Sequence, residues 1–120
     1  MIILAENKKA YFNYEILEKL EAGISLTGQE VKSLKTRGVN LAGNYIVVRD
    51  NEVFWTGSQI PPYQPKNAPA SYDPGRIRKL LLTKLEINHL IGKTKQRGLT
   101  LVPLKVYTVK GKIKMEFGIA

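Results

Sequence analysis

Apolar residues recur along this chain with two different periods, and the switches between them predict its elements. In residues 10–20, Phe12, Tyr14, Ile16 and Leu20 occupy even positions with Asn13, Glu15 and Lys19 between them, a period-two pattern that predicts a half-buried strand. Gly23 is expected to turn the chain into a second short strand carrying Ile24 and Leu26. The period then lengthens. Thr27, three residues before Glu30, has the capping-box pattern, in which hydroxyl and carboxylate each satisfy a backbone donor at a helix start, so a helix is predicted to begin near Gly28. Val31 and Leu34 fall on one side of it, while Lys32 and Lys35 pair on a different face. Residues 45–48 and 53–55 are β-branched or aromatic, as strands prefer, and Asp50 with Asn51 forms a two-residue turn between them.

Residues 61–74 hold five of the six prolines, so this stretch is neither strand interior nor helix. Asp73 as N-cap and Pro74 at the first helical position predict a short helix burying Ile77, Leu80 and Leu81. Thr83 and Glu86 repeat the capping box and predict another, with Ile87, Leu90 and Ile91 inward. Residues 99–109 and 112–119 read as strands joined by Lys110 and Gly111, with Pro103 at an edge or a bulge. Several strands interrupted by three short helices, rather than alternating with them, predict a mainly β fold: a small antiparallel β-barrel of oligonucleotide-binding type. At 120 residues it is expected to be a single domain, residues 1–120.

Charge adds a partner class to that frame. The formal net charge is +9, and from Arg76 to Lys114 eleven basic residues face one acid, Glu86. Such an excess favours nucleic acid or an anionic membrane surface. The apolar runs fall far below the roughly 20 residues of a membrane span, and no long basic amphipathic helix is present, so nucleic acid is the expected partner and the membrane is not. The opening MIIL is too short for a targeting segment. The absence of cysteine excludes disulfides and thiolate metal sites, and the one histidine, His89, cannot build a familiar metal site with them missing. No phosphate loop, nucleophile elbow or paired-carboxylate signature occurs, so neither catalysis nor a cofactor is expected.

The order of particular blocks narrows the function further. Gly28, Glu30, Val31, Lys32, Ser33 and Leu34 match the Gly-x-Glu-Val-Lys-Ser-Leu core of the SsrA-binding protein family, which this chain resembles. Asn7, Lys8, Lys9 and Ala10 are similar to its N-terminal Asn-Lys-Lys/Arg-Ala, and Glu21, Ala22 and Gly23 to its Glu-Ala-Gly. Arg76, Arg78, Lys79, Leu80, Leu81 and Leu82 match its Arg-x-Arg-Lys-Leu-Leu-Leu, and residues 99–107 its second hairpin. The resemblance implies a barrel that binds transfer-messenger RNA and brings it to stalled ribosomes in the cytoplasm, as a monomer. It also implies a lysine- and arginine-rich tail beyond the barrel, so residues 1–120 read as the barrel alone.

Expected RNA contacts are Asn7, Lys8, Lys9, Glu21, Lys32, Arg78, Lys79 and Lys114, with Leu81 supporting them. Glu30 is accounted for by the capping box. Glu21 is read as exposed on a cationic surface, where the family implies an RNA-side role and the alternative is a surface ion pair of little energy. Leu81 reads by default as core, four residues from Ile77 on a helix, and otherwise as a partly exposed leucine buttressing Arg78 and Lys79. Arg76 and Arg78 near a helix start suit bidentate phosphate contact. Of Tyr11, Tyr45, Trp55, Tyr63 and Tyr72, the loop residues Tyr63 and Tyr72 are the better candidates for stacking on bases. The rival functions are a generic single-strand-binding module and a small ribonuclease.

Overall fold

The computed structural model describes residues 1–120, apart from the side chain of Asn67. Seven antiparallel strands form one sheet: β1 (Ile2–Glu6), β2 (Glu18–Ile24), β3 (Tyr45–Arg49), β4 (Glu52–Thr56), β5 (Arg78–Leu81), β6 (Leu101–Val109) and β7 (Lys112–Ile119). Three α-helices accompany it, α1 (Ala10–Asn13), α2 (Gly28–Arg37) and α3 (Lys84–Thr94), and the proline-rich segment makes one short 3-10 turn at Pro65–Asn67. The hydrogen-bonded order is β1-β6-β7-β2-β5-β4-β3. It does not return on itself, so the fold is mainly β as expected but the sheet is open, although it curls far enough for β3 to pack beside β6.

The concave face holds the core. Trp55, Val53, Leu80, Met115, Phe117, Val106 and Ile119 are buried there, together with Leu34 of α2 and Leu90 of α3. Both capping boxes are present in full, with Thr27 and Glu30 opening α2 and Thr83 and Glu86 opening α3. The two hairpins also form as the turn residues dictate. Asp50 and Asn51 take φ of 52° and 62°, and Lys110 and Gly111 take 50° and 81°, the left-handed values of a two-residue turn that follows strand twist. Pro103 marks a register shift against β7, so the bulge expectation holds; β6 is interior, paired with β1 and β7.

Three expectations about individual elements also fail. Residues 10–17 are not a strand: α1 occupies Ala10–Asn13, and Phe12 is 89% exposed. Gly23 does not turn the chain but sits inside β2, opposite Leu81 on one side and Lys114 on the other. Residues 74–81 are not a helix, because Asp73 accepts from the Gly75 amide in a local turn and the chain enters β5 instead. Leu80 alone of the three residues assigned to that helix's buried side is in the core, Ile77 and Leu81 being more than half exposed. The opening MIIL supplies the edge strand β1, which period alone did not reveal.

Candidate RNA interface

The convex face of the sheet is built by alternation, since residues opposite one another in an antiparallel ladder share a face. Glu21 on β2 lies opposite Glu116 on β7, which lies opposite Lys105 on β6. One step along, Leu81, Gly23, Lys114 and Tyr107 form a row across β5, β2, β7 and β6. Lys79 lies opposite Phe54 on the β4 side. Beside the row is a cleft of about 390 Å³ lined by Gly23, Leu26, Val31, Leu81, Lys112 and Lys114, among others. Gly23 adds no side chain to its floor, where a Cβ would lie in ordinary contact with the Leu81 Cβ at 3.4 Å.

Leu81 is thus no core residue. It is 52% exposed, as its alternative reading expects, and forms an apolar wall of the cleft, but it cannot buttress Arg78, which points to the opposite face. Lys114 is half-buried beside it, while Lys79 is exposed and reaches Glu52 at 3.3 Å. Val31 brings α2 to the same cleft, and the exposed Lys32 that follows it lies 5.9 Å from the centre of the Tyr63 ring. Gln29 accepts from the Tyr63 amide, so α2 and the proline-rich segment are tied together at this point. Tyr72 is anchored by its hydroxyl, which donates to the Ile60 carbonyl at 2.8 Å.

One expected contact residue is used by the fold instead. Arg78 is wholly buried: its Nε donates to Glu30 Oε2 at 2.8 Å, Nη1 to Ser58 Oγ at 3.0 Å and Nη2 to the Pro74 carbonyl, with Nη2 also 2.6 Å from Glu30 Oε2 in the ion pair. Arg76 closes on the other side of the same carboxylate, with Nη2 2.6 Å from Glu30 Oε1. The Arg78 guanidinium is therefore not presented to phosphate as the sequence pattern suggested, and that of Arg76, though 39% exposed, is engaged by Glu30. Burial pushes the Glu30 carboxyl up, but Arg76, the Thr27 amide and Arg78 together outweigh it and hold it below the ordinary glutamate value. Asn7 is half-buried and lines the same cleft as Lys9. Its amide Nδ2 donates to the Pro103 carbonyl at 3.0 Å, tying the end of β1 to the bulge in β6.

Glu21, Lys79, Leu81 and Lys114 are brought onto one face, with Lys32 at its border. Lys8 and Lys9 are exposed but elsewhere: Lys9 lines a separate cleft with Asn13, Asn44 and Tyr45. Sequence reasoning missed Tyr107 and Glu116. Tyr107 is 5% exposed and its hydroxyl donates to Glu21 Oε2, a bond that spans β7. The alternation Lys112, Lys114, Glu116 on β7 was a signal that could have found Glu116. Trp55 is buried, with its indole nitrogen donating to Asn44 Oδ1 at 2.9 Å, so it packs rather than stacks on a ligand.

An open β-sheet with a cationic convex face and an adjoining half-apolar cleft is a docking module for a polyanion. The model of the family described as SmpB protein matches residues 4–120. The chain is 52% identical to the SsrA-binding protein of Syntrophobacter fumaroxidans over 98% of its own length and 73% of that protein's. It is 48% identical to the SsrA-binding protein of Magnetococcus marinus, over 98% of the chain and 78% of that relative. A solved chain described under "tmRNA-SmpB: a journey to the center of the bacterial ribosome" superposes with a TM-score of 0.75 at 47% identity, covering 95% of this chain and 80% of that one. This chain belongs to the SmpB family of SsrA-binding proteins.

Proposed function

We propose that this protein binds transfer-messenger RNA through the convex sheet face and brings it to stalled ribosomes, as a non-catalytic RNA-binding module. The observation that carries the reading is the coincidence of family membership with one continuous surface holding Lys32, Lys79, Leu81, Lys114 and Glu21. Lysines supply phosphate contacts and the exposed leucine packs against a sugar or base, the mixture by which folded RNA is recognised through shape and backbone. The curled sheet serves as a platform in the manner of oligonucleotide-binding barrels. Asn7 and Lys9, which line a different cleft, and the exposed Lys8 between them are left for a second RNA contact when the convex face is occupied.

Competition tests this reading against a generic single-strand binder. Excess unstructured RNA should hardly displace the tRNA-like part of transfer-messenger RNA from this protein; efficient displacement would overturn the specific reading. If about five phosphates are neutralised, log affinity against log salt should slope near −3.5 to −4.5, at about −0.7 to −0.9 per contact. A slope near zero would remove the phosphate-binding account.

A further inference from the structure

The convex face carries a charge arrangement that phosphate binding does not explain. Glu21 and Glu116 stand directly opposite on β2 and β7, and like charges in that position destabilise a sheet. Glu116 Oε1 is buried with no hydrogen-bond partner among the described residues. Lys114 and Lys105 are nearby in the ladder, yet no ion pair joins either to Glu21 among the described residues. What holds Glu21 is Tyr107, whose ring crosses β7 from β6 and whose hydroxyl donates to Oε2. Tyr107 is almost fully buried and Glu21 is exposed, so a buried phenol holds one oxygen of a carboxylate that a ligand on this face can reach.

We propose that Tyr107 is a positioning residue that fixes Glu21 as an acceptor for a neutral hydrogen-bond donor of the bound RNA, a base N–H or a ribose 2′-hydroxyl. This rests on the proposed RNA-binding role of the convex face. A carboxylate repels phosphate and accepts from N–H and O–H groups, so at this place it selects the donor-bearing edge of an unpaired nucleotide over the backbone. A loosely held glutamate would turn toward the surrounding lysines and neutralise the phosphate contacts; a phenol bond keeps it out of them. The phenol is suited to this. Burial first, then Glu21 and Glu116, push the Tyr107 hydroxyl well above its ordinary pKa, so it stays protonated and donating throughout the physiological range.

The sign of one substitution separates this from bulk electrostatics. Removing a negative charge from a cationic face should strengthen RNA binding if charge alone matters, whereas Glu21→Ala should weaken it if the carboxylate accepts a donor. Tyr107→Phe keeps every charge and nearly all the packing, yet should weaken binding of the tRNA-like RNA by about three- to tenfold at unchanged salt slope. Glu21→Asp, which keeps the charge but shortens the arm with Tyr107 intact, should do the same. The Tyr107→Phe and Glu21→Ala effects should not add, because both remove one positioned acceptor. Additive losses, or unaltered affinity in both Tyr107→Phe and Glu21→Asp, would overturn the positioning role even where Glu21→Ala weakens binding. Failure of the unaltered protein to bind the RNA would instead overturn the proposed function itself. Repeating the cycle on RNA carrying 2′-deoxy substitutions assigns the donor: an effect of Tyr107→Phe that persists throughout points to a base, and one lost at a single position points to that ribose.

Discussion

Arg78 and Lys79 are neighbours on β5, and the sheet sends them to opposite environments. Arg78 points into the fold, where Glu30, Ser58 and the Pro74 carbonyl take its donors. Lys79 points outward, where Glu52 is a half-exposed partner at 3.3 Å. The same contrast holds for the two groups of charges as wholes. In the interior one carboxylate is clasped between two guanidiniums, so ionic groups fix the junction of α2, the proline-rich segment and β5. On the convex face two carboxylates confront each other among lysines. The first arrangement is closed and serves the fold; the second is open and available to a ligand.

The sharpest way to break this contrast is to damage the interior group. Glu30→Ala leaves Arg78 as an unpaired buried cation and removes the reciprocal cap of α2, so stability should fall by about 3 to 5 kcal/mol in denaturant titration. An effect within about 0.5 kcal/mol, the range of ordinary surface substitutions, would put Glu30 in the same class as the exposed carboxylates.

Acidification probes the same group without substitution. Because the folded-state pKa of Glu30 lies below its unfolded value, the carboxylate's contribution is fully present above the ordinary glutamate pKa of about 4.3. It is lost as pH falls through the depressed folded value. Stability of the unaltered protein should therefore drop below about pH 4, and Glu30→Gln, though less stable at neutral pH, should lose less over that window. Parallel pH profiles for the two proteins would show that Glu30 does not carry this linkage.

How much of this was legible follows from the range of the interactions involved. Capping boxes at Thr27 and Thr83 and the turns at Asp50-Asn51 and Lys110-Gly111 are local chemistry, and each forms where the residues direct it. The strand expected over residues 10–20 forms only from Glu18 on, because Ala10–Asn13 close a helical turn that leaves Phe12 89% exposed. β5 was misread as a helix because Asp73-Pro74 imitates a helix start; pairing with Val53 to Trp55 on one side and with Gly23 and Ile24 on the other decides its conformation. Among the expected contact residues, Glu21 and Lys79 were legible through family motifs and Lys114 through the run of basic residues, and the structure places the three on one face. Arg78 belongs to the same motif, but its burial depends on Glu30, 48 residues away, a distance that no local pattern encodes. Tyr107 escaped for the same reason: its partner Glu21 is 86 residues away.

The convex face should respond in the opposite way to the interior. Lys114→Ala is expected to reduce affinity for transfer-messenger RNA, by up to about tenfold at low salt, while stability changes by less than about 0.5 kcal/mol. Its salt slope should become shallower by about one phosphate contact, or roughly 0.7 to 0.9 units. A steep fall in thermal midpoint would mean that this half-buried lysine is serving the fold, as Arg78 does.

The finest division concerns Leu81, because it sits one strand from the core and carries no charge. A core leucine truncated to alanine costs about 2 to 5 kcal/mol. Leu81 is 52% exposed and packs over Gly23 at the cleft wall, so most of its side-chain surface is already in water and Leu81→Ala should cost no more than about 1 kcal/mol. RNA affinity should fall more than that loss explains, since the substitution removes the apolar wall facing Lys114 without altering any charge, and the salt slope should stay as it was. Measuring midpoint, affinity and slope on the same variant discriminates all three roles this residue was open to. A large loss of stability returns it to the core, unchanged affinity removes it from the interface, and a changed slope would mean that it acts by holding lysines rather than by touching RNA.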